Sequence, residues 1–135
     1  MQLSLRAGER IYINGAVVRV DRKVTLELLN DVSFLLEAHV LQAEETTTPL
    51  RQLYFVLQAM LIDPPNAARA RDLFEHMHPS TLASFTNATA IAGLTSAAAL
   101  VAGGRIFDAL RTIRALFPIE DTILSSRGGN TPKAA

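Results

Sequence analysis

The fold of this chain is organised around one segment, Glu9-Arg10-Ile11-Tyr12-Ile13-Asn14-Gly15-Ala16-Val17-Val18-Arg19-Val20. Two runs rich in β-branched residues flank an Asn-Gly pair, a sequence typical of a hairpin with a two-residue type I′ turn. Both turn residues need positive φ, which Asn and Gly tolerate best. Because so short a turn fixes the register, we expect Tyr12 to pair with Val17 and Arg10 with Arg19.

Side chains alternate between the two faces of this predicted hairpin. One face is apolar and consists of Ile11, Ile13, Ala16 and Val18. The other face consists of Arg10, Tyr12, Val17 and Arg19. Two arginines directly opposite each other repel unless an anion lies between them. The sequence leaves two alternatives for that anion: a phosphate, or a neighbouring carboxylate such as Glu9, Asp21 or Glu27.

Charge is balanced over the whole chain but not along it. The 135 residues include thirteen Lys and Arg and thirteen Asp and Glu, so net charge alone does not indicate a nucleic-acid-binding protein. Basic residues nevertheless dominate before Val24, and aromatic rings beside arginines can stack on bases. The candidate RNA-binding residues are therefore Arg6, Arg10, Tyr12, Arg19, Arg22 and Lys23.

Alternating apolar residues extend the strand pattern on both sides of the hairpin. Leu3 and Leu5 indicate a first strand, and Val32–Leu36 indicates a last one. A three-residue turn after Val20 would pair Val20 with Val24, Val18 with Leu26 and Ala16 with Leu28, keeping all of them on one face. Residues 1–42 are therefore predicted to form an antiparallel β-meander.

Helical periodicity replaces this alternation in residues 46–125, so the chain is predicted to be an α+β protein whose meander precedes a bundle of about four helices. Thr48-Pro49 is typical of a helix start, with Thr as N-cap. The second helix follows Asp63-Pro64-Pro65. A long third helix is expected from Pro79 to about Ala102, with a core face formed by Ile91, Leu94, Ala98 and Val101. The fourth is expected over 105–117, ended by Pro118.

Residues 1–125 are accordingly expected to form a single domain, and residues 126–135, rich in Gly, Asn, Thr, Pro, Lys and Ala, a disordered tail. Tyr54 lies on the apolar stripe of the first helix and is expected to be structural. Off that stripe lie Phe55, Val56 and Ile62, which we expect to contact a partner.

No enzyme signature is present: the sequence has no glycine-rich phosphate loop, nucleophile elbow or cysteine. We expect no catalytic residue, no cofactor and no metal site. His76 and His78 lie two positions apart, so they do not share a helical face. Glu44-Glu45 is expected to favour the positive N-terminus of the helix that begins at Thr48-Pro49. No signal peptide and no membrane-spanning helix are expected. The lack of cysteine fits a reducing cytosol.

Three segments resemble the FlbT family of bacterial flagellin regulators, and the resemblance covers roughly residues 1–125. They are Leu3-Ser4-Leu5-Arg6-Ala7-Gly8-Glu9-Arg10-Ile11-Tyr12-Ile13-Asn14-Gly15-Ala16-Val17, Thr48-Pro49-Leu50-Arg51-Gln52-Leu53-Tyr54-Phe55 and Gly104-Arg105-Ile106-Phe107-Asp108-Ala109-Leu110-Arg111. The first is the most specific, because it fixes a Gly-Glu pair and an Asn-Gly turn at set spacing.

This resemblance implies a cytoplasmic post-transcriptional regulator, usually a repressor, of flagellin synthesis. Such proteins associate with the 5′ untranslated leader of flagellin mRNA and alter its translation or degradation. The companion flagellar regulator FlaF is an expected partner. The alternative is a protein-interaction module that acts through FlaF, flagellin or a ribonuclease and associates with RNA only indirectly.

Arg6-Ala7-Gly8-Glu9, followed by alternating Ile, is also similar to the start of the carbon storage regulator family. That second resemblance implies RNA binding through the meander and dimerisation through its edge strands, so a homo-oligomer is also expected.

Overall fold

The computed structural model describes residues 1–130, and side chains as far as residue 126. Five strands come first: β1 Gln2–Leu5, β2 Arg10–Ile13, β3 Ala16–Arg19, β4 Val24–Glu27 and β5 Phe34–Leu36. Five α-helices follow in the described residues: α1 Pro49–Ile62, α2 Ala67–Ala83, α3 Ala88–Ala102, α4 Ile106–Arg114 and α5 Phe117–Asn130. The predicted α+β order, antiparallel strands before helices, is confirmed.

The hairpin has the predicted geometry. Asn14 and Gly15 adopt φ values of 53° and 89°, as a type I′ turn requires. Tyr12 pairs with Val17 and Arg10 with Arg19, so the register predicted from the two-residue turn is confirmed.

The remaining strands pair differently from a simple meander. β5 joins the free edge of β2, giving a sheet of order β3-β2-β5, while β4 pairs with β1 in a separate two-stranded sheet. The predicted pairing of Val18 with Leu26, together with the Val20–Val24 and Ala16–Leu28 pairs, is therefore wrong, because Leu26 pairs with Leu3. Packing the two sheets against each other encloses apolar side chains that one open sheet would leave exposed. The buried members of this cluster are Leu3, Leu5, Ile11 and Phe34.

The three-stranded sheet also packs on the helices through its other face. Leu35 is buried in the main core, and Tyr12 lies half-buried against it. The predicted apolar stripe of α1 is confirmed and supplies much of this core, through Leu50, Leu53, Tyr54, Leu57 and Leu61. The sheet β3-β2-β5 therefore lies between the small sheet and α1.

Prolines divide the helices differently from the prediction. Pro79 lies inside α2, which continues to Ala83, and the separate helix α3 begins only after Asn87. The Asn87 side chain accepts a hydrogen bond from the Ala90 N–H at 2.9 Å, a better helix start than Pro79 offers. The predicted long helix from Pro79 to Ala102 is therefore wrong.

Pro118 lies at the second position of α5 instead of ending a helix. A proline in the first turn loses no helical hydrogen bond, since the N–H groups there have no partner within the helix. Helix α5 then continues through residues 126–130, which had been predicted to be disordered. The rest of that predicted tail, residues 131–135, lies outside the described residues.

Helix α3 presents one face to the core, as predicted, but that face is rotated. Leu94 is fully buried, with Ala90, Ala97 and Val101 beside it. Ile91, expected to be buried, is 37% exposed.

Candidate functional site

Five cationic side chains gather at one end of the β-sheets, opposite the Asn14-Gly15 turn. Arg10 and Arg19 face each other on β2 and β3. The Gly8 N–H donates to the Val20 carbonyl at 2.7 Å and the Glu9 N–H to the Arg6 carbonyl at 3.0 Å, which holds the preceding turn beside this pair. We call this surface the basic end; its exposed cationic residues are Arg6, Arg10, Arg19, Arg22 and Lys23.

The nearby carboxylates accept backbone hydrogen bonds or pair with other side chains. Glu9 accepts the Arg6 backbone N–H at 2.8 Å, and Glu37 accepts the Arg10 backbone N–H at 2.7 Å. Asp21 pairs with Arg22 at 3.3 Å, with both side chains exposed. Glu27 lies opposite Gln2 in the other sheet.

No carboxylate of the described residues lies within 4.0 Å of the Arg10 or Arg19 guanidinium. None of the three carboxylates considered from the sequence therefore forms an ion pair with Arg10 or Arg19. An external anion at this position would relieve the repulsion between the two arginines.

Tyr12 is placed differently from the arginines with which it shares a face. Its ring is half-buried against the main core. It also lines a pocket of about 340 Å³ that includes Phe55, Gln58 and Ile62 of α1. The ring therefore anchors the hairpin to the helices, and only part of it is open to a ligand.

The predicted partner residues lie along one side of α1. Phe55 and Val56 line a groove of about 370 Å³ between α1 and α2, which we call the α1–α2 groove. Its other lining residues are Ala59, Asp63, Asn66, Arg69, Ala70 and Leu73. Ile62 lines the neighbouring pocket that contains Tyr12, and Phe55 borders both cavities. The structure thus brings the three predicted residues to one continuous, largely apolar surface.

A buried ion pair at the start of α1 was not predicted. Glu120 is only 3% exposed and accepts hydrogen bonds from Thr48 Oγ1 at 2.6 Å, the Leu50 N–H at 3.0 Å and Arg51 Nη1 at 2.7 Å. Arg51 also lies 3.1 Å from Asp121 and over the Phe117 ring at 4.4 Å. These contacts fix α5 to the N-terminus of α1.

An acidic residue is expected from the sequence near the N-terminus of α1, but the residues predicted for this role are Glu44 and Glu45. Glu45 instead accepts the Gln42 N–H at 2.8 Å and caps a short 3-10 turn, Ala43–Glu45. The acid that lies at the α1 N-terminus is Glu120, about seventy residues away in sequence. Local spacing carries no signal for a contact of that kind.

A second group of polar contacts holds the segment that links β5 to α1. The Tyr54 hydroxyl donates to the His39 carbonyl at 2.5 Å and accepts from Arg114 Nη1 at 3.0 Å. Burial raises the pKa of Tyr54, and the hydrogen bond and charge of Arg114 oppose that rise. Burial, and then the charge of Arg114, lower the pKa of His39. These groups are structural, as expected for Tyr54.

The residues considered as metal ligands do not converge. His78 Nε2 lies 2.7 Å from the Leu94 carbonyl. In residues 1–130 no three His, Cys, Asp or Glu side chains form a group suited to a metal ion. Within the same range, no helix combines the length and apolar character needed to cross a membrane.

The chain is similar to known flagellar proteins along most of its length. The profile of the family described as "Flagellar protein FlbT" matches residues 1–124. Curated relatives include three proteins named "Probable flagellum biosynthesis repressor protein FlbT". The protein of Chelativorans sp. is 55% identical over 125 residues, which are 93% of this chain and 86% of its own length. The protein of Brucella anthropi is 53% identical over 135 residues, 100% and 89% of the two chains. The protein of Rhizobium johnstonii is 56% identical over 126 residues, which are 93% of this chain and 85% of its own length. No solved structure matches the chain.

Proposed function

The chain belongs to the FlbT family of flagellar proteins, and on that premise we propose that it represses flagellin synthesis after transcription. It associates in the cytoplasm with the 5′ untranslated leader of flagellin mRNA and alters translation or degradation of that message. The names of the relatives support the repressor role, since they describe probable repressors of flagellum biosynthesis and not enzymes.

One observation supports RNA as the ligand. Arg10 and Arg19 are held opposite each other, exposed, with no carboxylate of the described residues within 4.0 Å. A fold that keeps two like charges together without an ion-paired carboxylate is suited to bind an anion, and phosphates are the anions that RNA offers. Arg6 and Lys23 extend the same positive surface, and Arg22 lies beside them, paired with Asp21.

The test is a titration of labelled flagellin leader RNA with the purified chain, against a scrambled leader of the same composition, at several salt concentrations. Replacing Arg10 and Arg19 together by Gln removes two phosphate contacts. We expect affinity to fall by about tenfold or more and the slope of log affinity against log salt to become shallower by about 0.7 per lost contact.

The matched control is the double variant Arg69→Gln/Arg111→Gln, which loses the same charge from exposed positions on α2 and α4. We expect this control to bind the leader nearly as the wild type does. If the Arg10/Arg19 variant folds and keeps both the wild-type affinity and salt slope, the basic end is not the RNA site.

A second candidate function is a protein-interaction module, favoured by the α1–α2 groove. Phe55 and Leu73 remain 36% and 47% exposed on a surface that also includes Val56 and, next to it, Ile62. Exposed apolar surface of this kind is typical of a partner-binding site. FlaF is the expected partner, and RNA would then associate through the complex.

Light scattering with and without purified FlaF separates the two functions. The variant Leu73→Ser should abolish complex formation if the groove binds FlaF, whereas Ile91→Ser, an exposed apolar residue on α3, should not. A chain that binds leader RNA tightly and ignores FlaF would contradict this second function.

A further inference from the structure

Strand β3 has a free backbone edge. Within the part of the chain that the structure describes, its only neighbour in the sheet is β2, and each of its four residues is exposed. Val17 is 60% exposed and Val18 39%, although they point to opposite faces. An edge that carries apolar residues on both faces is a ready template for pairing with another strand, and natural proteins usually protect such edges.

The hydrogen bonds that β2 makes on the side away from β3 show which backbone groups of β3 point outward. The N–H groups of Arg10 and Asn14 point away from β3, to Glu37 and Ser33 respectively. The alternation along an antiparallel ladder then directs the Ala16 and Val18 backbone toward β2. The N–H and C=O groups of Val17 and Arg19 are therefore directed outward, away from the sheet.

These four outward N–H and C=O groups can bond to the same groups of a second copy that is related by a two-fold axis at Val18. In that register Val17 pairs with Arg19 of a second copy, and the reverse, which forms four hydrogen bonds. An axis at Arg19 would place like charges directly opposite each other. An axis at Val17 would use Gly15, whose turn is packed against Pro64. The axis at Val18 is the arrangement that avoids both problems.

We propose that two copies of this chain pair through β3, antiparallel and centred on Val18, to form one continuous six-stranded sheet. The pairing places Arg10 and Arg19 of both copies on the same face, with the two Arg19 positions as diagonal neighbours about 7–8 Å apart. This consequence rests on the proposed function: the RNA site then consists of four arginines contributed by two chains.

The pairing is weak in the absence of an anion. Four residues on each side cover much less than the roughly 800 Å² per partner of a standard stable interface. The four arginines also repel each other until phosphate binds. The paired form is therefore expected at high protein concentration or on RNA, and the free chain is expected to be mainly monomeric in dilute solution.

A single-cysteine experiment tests the register directly, because the natural chain has no cysteine. In the variant Val18→Cys the cysteines of the two paired copies face each other. Their Cα atoms lie about 4.5 Å apart, a distance that permits a disulfide. In the control Ala16→Cys the exposed cysteines are about 13–14 Å apart along the strands, which does not. We expect the first variant to form a disulfide-linked dimer in a glutathione redox buffer at least tenfold faster than the control.

A second pair of variants tests the backbone pairing itself. Adding Val17→Pro to the Val18→Cys chain removes an outward N–H without removing a bond to β2, so the cross-link should be lost while the hairpin remains. Adding Val17→Thr preserves the N–H and should preserve the cross-link. Circular dichroism of each variant checks that the chain is folded.

Equal cross-linking rates for Val18→Cys and Ala16→Cys would overturn the pairing and leave the edge open to a strand of another protein. Added flagellin leader RNA should accelerate the Val18→Cys cross-link and not that of the control. A selective cross-link without any binding of the leader would instead overturn the proposed RNA function and leave the dimer standing. The failures of the two proposals are thereby distinguishable.

Discussion

Gly15 shows how one backbone position attaches the hairpin to the helices. Its φ of 89° disfavours any residue with a side chain, and a Cβ built there would lie 2.8 Å from Pro64 Cγ. Gly8 has a similar φ of 81° but nothing within 4 Å of its Cβ position. The two glycines therefore separate the effect of backbone strain from the effect of a close contact.

We expect Gly15→Ala to destabilise the chain by about 2–3 kcal/mol and Gly8→Ala by about 1 kcal/mol, since only the first adds a clash to the strain. Urea unfolding of both variants measures the difference. Equal losses would mean that Pro64 moves aside at no energetic cost.

Glu120 is the second residue whose role depends on distant contacts. Removing one partner of a buried ion pair leaves the other charge uncompensated, at a typical cost of about 3–5 kcal/mol. Arg51 retains Asp121 at 3.1 Å and is partly exposed, so the loss should be smaller.

We expect Glu120→Gln to lower the free energy of unfolding by about 2–3 kcal/mol. The matched control is Asp121→Asn, which removes a carboxylate that is 61% exposed and should cost less than about 1 kcal/mol. Chemical denaturation gives both values. A larger loss for Asp121→Asn would show that the exposed pair, not the buried one, holds α5 to α1.

At the scale of the elements, the features predicted correctly are those that depend on residues close together in the sequence. The Asn14-Gly15 turn set its own register, and Thr48 caps α1 through the Arg51 N–H as expected. Pairing of β1 with β4 depends on how two sheets pack, which no local signal carries. The helix boundaries predicted at Pro79 and Pro118 are wrong for a related reason. Tertiary packing places both prolines within helices, Pro79 inside α2 and Pro118 in the first turn of α5.

In the candidate site, too, features set by local sequence were predicted, and features set by distant contacts were not. The Arg10–Arg19 pair is a consequence of the turn and was predicted. The burial of Tyr12 depends on α1 lying across the sheet, so a pattern confined to the hairpin could not reveal it. Phe55, Val56 and Ile62 were predicted to contact a partner because they lie off the buried stripe of α1, which is a local property, and that role remains a prediction.

Helix α3 offers a prediction at this scale, because its buried and exposed faces are clearly divided. Leu94→Asp places an unpaired charge in the core and should destabilise the chain by several kcal/mol, enough to lower the melting temperature by more than about 10 °C. Ile91→Asp introduces the same charge on the exposed face and should shift the midpoint little. Similar shifts for the two variants would contradict the observed orientation of α3.

At the scale of the whole molecule, Phe107 joins the two apolar clusters. It packs against the main core and against the cluster between the sheets, and its ring lies 4.9 Å from that of Phe34. Through this contact α4 and the strands share buried surface. The single domain expected for residues 1–125 therefore depends in part on one half-buried ring.

We expect Phe107→Ala to increase hydrogen exchange in β1, β2 and β5 more than in α1 and α3, because it removes a link between the two clusters. Phe85→Ala is the control, since Phe85 packs against the main core alone. Exchange measured by mass spectrometry distinguishes the regions. If strands and helices already exchange independently in the wild type, the chain is two units and not one.

The contact between Gly15 and Pro64 has a consequence for how the α1–α2 groove is coupled to the hairpin. Pro64 begins the short turn Pro64–Asn66 between α1 and α2, and the neighbouring Asp63 and Asn66 line the α1–α2 groove. A ligand that separates the helices at this end must also move Pro64 against the hairpin tip. Occupancy of the groove would then be thermodynamically linked to the position of the hairpin tip, so a ligand that binds the groove and a contact that fixes the tip would each change the other's free energy by the same amount.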